Sequence, residues 1–311
     1  MTDIAIHRRV FLQGLAACPF FAAFNWPAAS LAASADLRVQ VIDDRISLIT
    51  GAGGNIVFYK GNQGITLIDS GSLDAVSELL TQINTLRGPT PVNRLINTHW
   101  HEDHTGGNEA IHALGAKIIA HENTKLWLGA DFDVAWRNWS HQPRPIEALP
   151  DETFYTSQQL DLDGEIVECD YFSQAHTDGD ITVFFPQSNV LIAGGLLSNY
   201  RYPIADIATG GWIGGLFDAN KALLAKVNDS TVIIPDRGPA LTKADLQAQH
   251  DMLADIYEKM KKLAQEGFSG RDMLNEKLTS AYDERWGNPE EFLLETYRGM
   301  WAHTYDMGGF I

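Results

Sequence analysis

Apolar and polar residues alternate with a period of two across 39–50 and 56–59, on either side of a glycine turn at 51–54, and this pattern predicts half-buried strands. The apolar run Ile65-Thr66-Leu67-Ile68 predicts a buried strand that stops at Asp69-Ser70-Gly71. The period then changes. Leu73, Val76, Leu79, Leu80, Ile83 and Leu86 recur at three- and four-residue intervals, so 73–86 predicts a helix with one face on a sheet. A strand at 93–97, a helix at 109–114 and a strand at 117–120 continue a βαβ rhythm, which breaks at 127–150. There Trp127, Trp136, Trp139 and three prolines describe a loop-rich insertion, placed either over a site or in the core. Strands at 159–162, 166–172, 181–185 and 190–193 form a hairpin-rich second half. A helix at 219–227, a strand at 232–234 and a long amphipathic helix at 243–265 complete it. With no repeat, low-complexity tract or linker after residue 35, the pattern predicts a single α/β domain over 36–311 with a helical C-terminal part.

Residues 1–35 read differently. His7-Arg8-Arg9-Val10-Phe11-Leu12 opens an apolar, alanine-rich stretch, and Ala33-Ser34-Ala35 offers small residues for cleavage before Asp36. The paired arginines followed by Phe-Leu resemble a twin-arginine export signal, with His7 where Ser or Thr is usual and Gln13 where Lys is frequent. The expectation is a cleavable signal and a periplasmic or otherwise exported protein that folds, and takes up any metal, before export. The apolar run is short and is interrupted by Asn25, Trp26 and Pro27, which argues against an uncut anchor and against stable membrane association of the mature chain.

The formal net charge of −17 over 311 residues excludes a phosphate-backbone partner, because the chain has no basic stripe. Lys259, Lys261 and Lys262 are the densest cations and fit a solvated helix face. Of the two cysteines, Cys18 lies in the signal segment and Cys169 in an apolar strand, so no disulfide is expected. A small-molecule substrate remains; oligomeric state is left open.

The chemistry concentrates in His99-Trp100-His101-Glu102-Asp103-His104, at the end of the strand carrying Leu95 and Ile96 and before Thr105-Gly106-Gly107. On extended backbone, residues two apart face the same side, so His99 and His101 can grip one ion while the following turn swings Asp103 and His104 toward a neighbouring position. A further ligand is needed, and His176 in Ala175-His176-Thr177-Asp178-Gly179-Asp180 again follows an apolar strand and precedes a glycine turn.

The His-x-His-x-Asp-His string, with Ile68-Asp69-Ser70-Gly71 before it and His176-Thr177 after it, closely resembles the metallo-β-lactamase superfamily of metallohydrolases. The resemblance spans roughly 39–241 and implies an αβ/βα sandwich of two mixed sheets with helices outside. It implies that His99, His101 and His176 hold a first metal, that Asp103 and His104 contribute to a second, and that Asp69 braces the cluster from behind. It also implies hydrolysis by a metal-activated water, with Zn2+ as the expected ion and iron or manganese as alternatives.

Two positions depart from that family pattern. Ala193-Gly194-Gly195-Leu196 places Gly195 where a metal-bridging aspartate is usual, and Pro235-Asp236-Arg237-Gly238-Pro239 places Arg237 where the last histidine ligand stands. Both losses fall on the second metal, so one ion is favoured over two. Losing a dication and a carboxylate while gaining a guanidinium leaves local charge unchanged, and Arg237 is expected to replace the second metal by pairing with Asp103 or an anionic substrate group. Asp236 is a candidate substitute ligand, with Asp178 and Asp180 behind it. Asp103, relieved of metal duty, is a general-base candidate, and Tyr200, Tyr202 and Trp212 are candidate pocket residues in a loop-like segment over 197–215. The expected function is an exported metal-dependent hydrolase attacking an amide, lactone, ester or related bond at an atypical mononuclear site. The alternative is a catalytically impaired periplasmic metal- or ligand-binding protein of the same fold.

Overall fold

The computed structural model describes residues 36–199 and 201–303, which fall within one compact unit spanning 34–311. The segment read above as an expected export signal, 1–35, and Tyr200 lie outside the described residues. In chain order the first half comprises β1 (Arg38–Val41), β2 (Ile46–Ala52), β3 (Gly54–Lys60), β4 (Ile65–Ile68), α1 (Val76–Arg87), β5 (Val92–Ile96), α2 (Glu102–Thr105), α3 (Asn108–His112), β6 (Lys117–His121) and α4 (Glu122–Leu128). The insertion follows as β7 (Phe132–Val134) and β8 (Trp139–His141), and β9 (Glu152–Phe154) returns to the first sheet. The second half comprises β10 (Gln158–Asp161), β11 (Ile166–Phe172), β12 (Asp180–Phe185), β13 (Val190–Gly194), α5 (Ile213–Lys226), β14 (Val232–Pro235), α6 (Lys243–Gln265), α7 (Gly270–Asn275), α8 (Asp283–Trp286) and α9 (Glu290–Ala302).

Two mixed sheets result, ordered β1-β2-β3-β4-β5-β6-β9 and β10-β11-β12-β13-β14. The period of two explains how they stack. Along β4, β5 and β6, Ile68, Ile96 and Ile119 point to the core between the sheets, where they join Val183, Ile192 and Ile234 of the second sheet. Their neighbours Leu67, Leu95 and Ile118 point outward and pack with Leu79 and Ile83 of α1. Tyr59 and Phe185 meet across the sandwich with ring centroids 5.1 Å apart. The outer face of the second sheet is covered by α5, α6 and α9, through residues such as Leu216, Leu223, Leu253, Ile256 and Phe292. The architecture is the expected αβ/βα sandwich.

Several predicted elements change at their ends. Leu73 stands in a short 3-10 turn and is 54% exposed, so α1 starts three residues later than its periodicity suggests. The second-half helix predicted at 219–227 begins at Ile213, because Gly214 and Gly215 interrupt the apolar period without interrupting the helix. Those glycines are points of close approach rather than hinges: a Cβ at Gly215 would stand 1.9 Å from the carbonyl oxygen of Gln174. The 127–150 insertion includes the β7–β8 hairpin, and Phe132 and His141 meet the buried Trp100 edge-on while Trp139 lies tilted against it. Cys169 is buried in the intersheet core, where burial pushes its thiol up to about 12. Among the described residues no helix is long and apolar enough to cross a membrane.

Candidate metal centre

His99 and His101 follow β5 of the first sheet, and His176 follows β11 of the second, so the site is built where the two sheets end side by side. One atom from each of the three rings lies within 4.8 Å of the others; among the described residues no such group of three includes Asp103, His104 or Asp236. Each ring has its outer nitrogen tied. The Nδ1 of His176 donates to the Ile204 carbonyl at 2.6 Å, and the Nε2 of His101 donates to Asp206 Oδ2 at 3.0 Å. His99 Nδ1 lies 3.0 Å from Thr98 Oγ1, which itself donates to Asp69 Oδ2 at 2.7 Å and so accepts from the ring. These tautomers leave His99 Nε2, His101 Nδ1 and His176 Nε2 as lone pairs aimed at a common centre. His101 Nδ1 and His176 Nε2 approach to 2.9 Å, and two lone pairs that close call for a cation between them. Burial first, then the neighbouring imidazoles, lowers the pKa of both His99 and His176, which keeps them neutral and able to ligate. The donor set fits a metal ion, and imidazoles of this kind suit zinc.

Asp69 braces this arrangement. Its φ of 62° is the left-handed conformation that a short polar residue tolerates, and it turns the carboxylate back over the end of β5. Oδ1 accepts from the Thr98 amide at 2.7 Å, while Oδ2 accepts from Thr98 Oγ1 and from His104 Nδ1 at 2.8 Å. Burial opposes charge on His104, but Asp69, followed by Asp103 and Asp236, outweighs it and raises the ring's pKa. His104 Nε2 faces Asp103 Oδ2 at 3.6 Å.

Arg237 occupies the neighbouring space. Its Nη2 contacts Asp103 Oδ2, its Nη1 donates to the Gly53 carbonyl at 3.1 Å, and its Nε lies 3.8 Å from Asp236 Oδ2. Against the desolvation of a largely buried carboxyl, His104 and then Arg237 hold the Asp103 pKa down to about 2. Asp103, the general-base candidate, is therefore paired with the Arg237 guanidinium in this structure. Asp236 is bound by Arg201 Nη2 through Oδ2, while its buried Oδ1 has no hydrogen-bond partner among the described residues. Asp178 accepts from Trp127 Nε1 and Asp180 from Thr177, so both are spent on loop structure. Gly195 lies against the ligands, where a Cβ would stand 2.2 Å from His176 Cδ2.

The cleft above the three histidines measures about 640 Å³ and has unlike walls. Trp100, Trp139 and His141 form an aromatic side; Arg137, Arg201 and Arg237 stand among Asp206, Asp236 and Glu291 elsewhere. Tyr202 and Trp212 are not in it. Tyr202 stacks on Phe292 and donates to Asp283, and Trp212 packs on Tyr257, because both rings fill the core beneath α5 and α9. Sequence reading missed Asp206, Arg137 and Arg201. The one signal for Asp206 is a lone acid in the apolar stretch Ile204-Ala205-Asp206-Ile207.

Known proteins align with this arrangement. Residues 49–240 match the family model described as the metallo-beta-lactamase superfamily. The chain is 26% identical over 209 residues to a type 2 metallo-beta-lactamase of Bacteroides fragilis, covering 64% of this chain and 75% of that one. A hydroxyacylglutathione hydrolase of Erythrobacter litoralis (strain HTCC2594) is 28% identical over 104 residues, a third (33%) of each chain. Among solved structures, a metallo-beta-lactamase from Pontibacter korlensis superposes with a TM-score of 0.57 at 23% identity, over 70% of this chain and 99% of that one. The stereoselective inverting sec-alkylsulfatase Pisa1 from Pseudomonas sp. superposes with a TM-score of 0.64 at 17% identity, over 84% of this chain and 50% of that one. With the family model covering 49–240, most of both sheets and all the histidines of the site, the chain belongs to the metallo-β-lactamase superfamily.

Proposed function

We propose that this chain is an exported hydrolase of small molecules that works with one metal ion, zinc, held by His99, His101 and His176. The observation that carries the reading is the direction of the ring nitrogens: three outer nitrogens are tied to Ile204, Asp206 and Thr98, and three inner ones converge. A bound ion supplies water activation near neutral pH and stabilises the charge that develops on the attacked centre. The chain's own residues do the rest. Arg237 holds Asp103 where a second ion would otherwise use that carboxylate, and leaves the charge of the region balanced. Trp139, 43% exposed, offers a face for an apolar part of the substrate. Arg201, paired through Nη2 with Asp236, lines the cleft and offers a cation to an anionic group.

The bond class is an amide, lactone, ester or close analogue, and the relatives' names add thioester and alkyl sulfate to a test panel. Protein recovered from the periplasmic fraction should carry one tightly bound ion per chain and turn over a member of the panel, with His101→Ala abolishing both; replacing Arg8 and Arg9 by lysine should retain it in the cytoplasm. Two tightly bound ions would defeat the mononuclear assignment. A second reading, a metal- or ligand-binding protein of the same fold with impaired catalysis, draws on the missing ligands at Gly195 and Arg237. Metal-loaded protein inert across β-lactams, lactones, esters, thioesters and alkyl sulfates would favour it.

A further inference from the structure

Asp206 ties His101 to a second, more distant set of charges. The carboxylate is only 2% exposed, accepts from His101 Nε2 through Oδ2, and takes Arg137 Nη1 on Oδ1 at 3.0 Å. Arg137 comes from the tip of the β7–β8 hairpin. Its other terminal nitrogen, Nη2, forms an ion pair without hydrogen-bond geometry at 3.1 Å from Glu295 Oε2 on α9, a carboxylate that is itself 3% exposed. Glu295 Oε1 in turn accepts from Arg298 Nη1 at 2.7 Å and from Trp136 Nε1 at 3.2 Å. The charges alternate from the ligand to the surface: Asp206, Arg137, Glu295, Arg298.

Two buried carboxylates are expensive without a cation, and one planar guanidinium serves both because its two ends can face opposite ways. Asp206 is also joined to the site by its backbone, donating its N–H to the His176 carbonyl at 2.7 Å. A shift in Asp206 therefore moves partners of two metal ligands. We infer that Arg137 and Glu295 are positioning residues for the metal centre: through Asp206 they set the orientation and basicity of His101, so that the hairpin and the C-terminal helix hold a ligand neither of them contributes. Neutralising Glu295 removes one anchor of Arg137 and leaves its full charge on Asp206, which then draws the Nε2 proton of His101 less strongly. Both consequences weaken Nδ1 as a ligand.

Cobalt(II) is the probe, because its affinity and visible absorption report the ligand field without any need for turnover. Asp206→Asn should weaken cobalt binding by about 10- to 100-fold. Glu295→Gln should weaken it by about 3- to 10-fold, below that range because it acts one partner further away, and should shift the cobalt bands in the same direction as Asp206→Asn. Arg137→Lys keeps the charge but cannot face two carboxylates at once, and is expected to behave like Glu295→Gln. Glu290→Gln, an exposed acid at the start of the same helix, should leave affinity and spectrum unchanged. If Glu295→Gln lowers only the melting temperature of metal-free protein, with affinity and bands as in the parent, the acid is merely structural and the inference fails. Should Glu295→Gln not fold, Arg137→Lys decides by the same two readouts. A parent protein that takes up no cobalt would remove the metal reading on which this one rests.

Discussion

A Cβ built at Gly195 stands 2.2 Å from His176 Cδ2, 2.7 Å from its Cγ and 3.0 Å from its Nε2, so an aspartate there and this orientation of His176 exclude one another. The backbone is not the obstacle, since Gly195 is absent from the positive-φ residues. The conflict is with the imidazole that the first ion needs. Returning the family's carboxylate by Gly195→Asp should therefore push His176 off the Ile204 carbonyl and lower affinity for the first ion by about tenfold or more, without adding a second. Chelator competition and elemental analysis of the purified variant check this; a variant with two tight ions would show that His176 can give way. The same geometry explains what sequence could and could not show at this scale. His99, His101, Asp103 and His104 share six residues, and His176 stands at an obvious strand end, so their chemistry is legible. Arg137 comes from the β7–β8 hairpin and Arg201 and Asp206 from the loop after β13, and only folding brings them to the site.

Elements were legible where period and boundary signal coincide. For α6 the apolar face and the Thr242 cap agree, and the predicted 243–265 is the observed helix. For α5 the glycine pair masks the first turns, and for the 127–150 insertion a three-residue hairpin is too short to show a period. The start of α6 is a capping box: Thr242 accepts from the Asp245 amide, and the Asp245 carboxylate accepts from the Thr242 amide at 2.9 Å. Thr242→Ala should cost about 1 kcal/mol of stability at pH 7. Although partial burial opposes it, the hydrogen bonds from Thr242, with Arg285 beside them, lower the Asp245 pKa below the ordinary carboxylate range. A depressed pKa means stabilisation that is complete above the unfolded value and disappears as pH falls through the folded one. Urea melts of the parent and Asp245→Asn should accordingly differ at pH 7 and draw together as pH falls below the unfolded carboxylate value of about 4; a difference that stays constant as pH is lowered would assign the effect to packing instead.

At the scale of the whole molecule the three histidines straddle the seam of the sandwich, two from the first sheet and one from the second. A shared ion would clamp the sheets at that end. The seam has fastenings of its own: Ile181 donates its amide to the Thr98 carbonyl at 2.8 Å, and Asn55 Nδ2 donates to the Pro235 and Gly238 carbonyls at 2.9 Å each. Beneath them the intersheet core is continuous from Ile46 to Ile234. The metal-free protein should therefore remain folded, unlike a small domain that depends on its ion. An ion that binds the native state alone still adds stability by mass action, about 2.7 kcal/mol at a free concentration 100 times Kd. In a domain of this size that corresponds to a rise of about 5–10 °C in melting temperature. Zinc titrated into chelator-treated protein should produce that rise with one cooperative transition throughout, and His176→Ala should abolish it by disconnecting the second sheet from the site. A melting temperature indifferent to zinc would mean that the convergent nitrogens do not form a metal clamp, whatever the catalytic assays show.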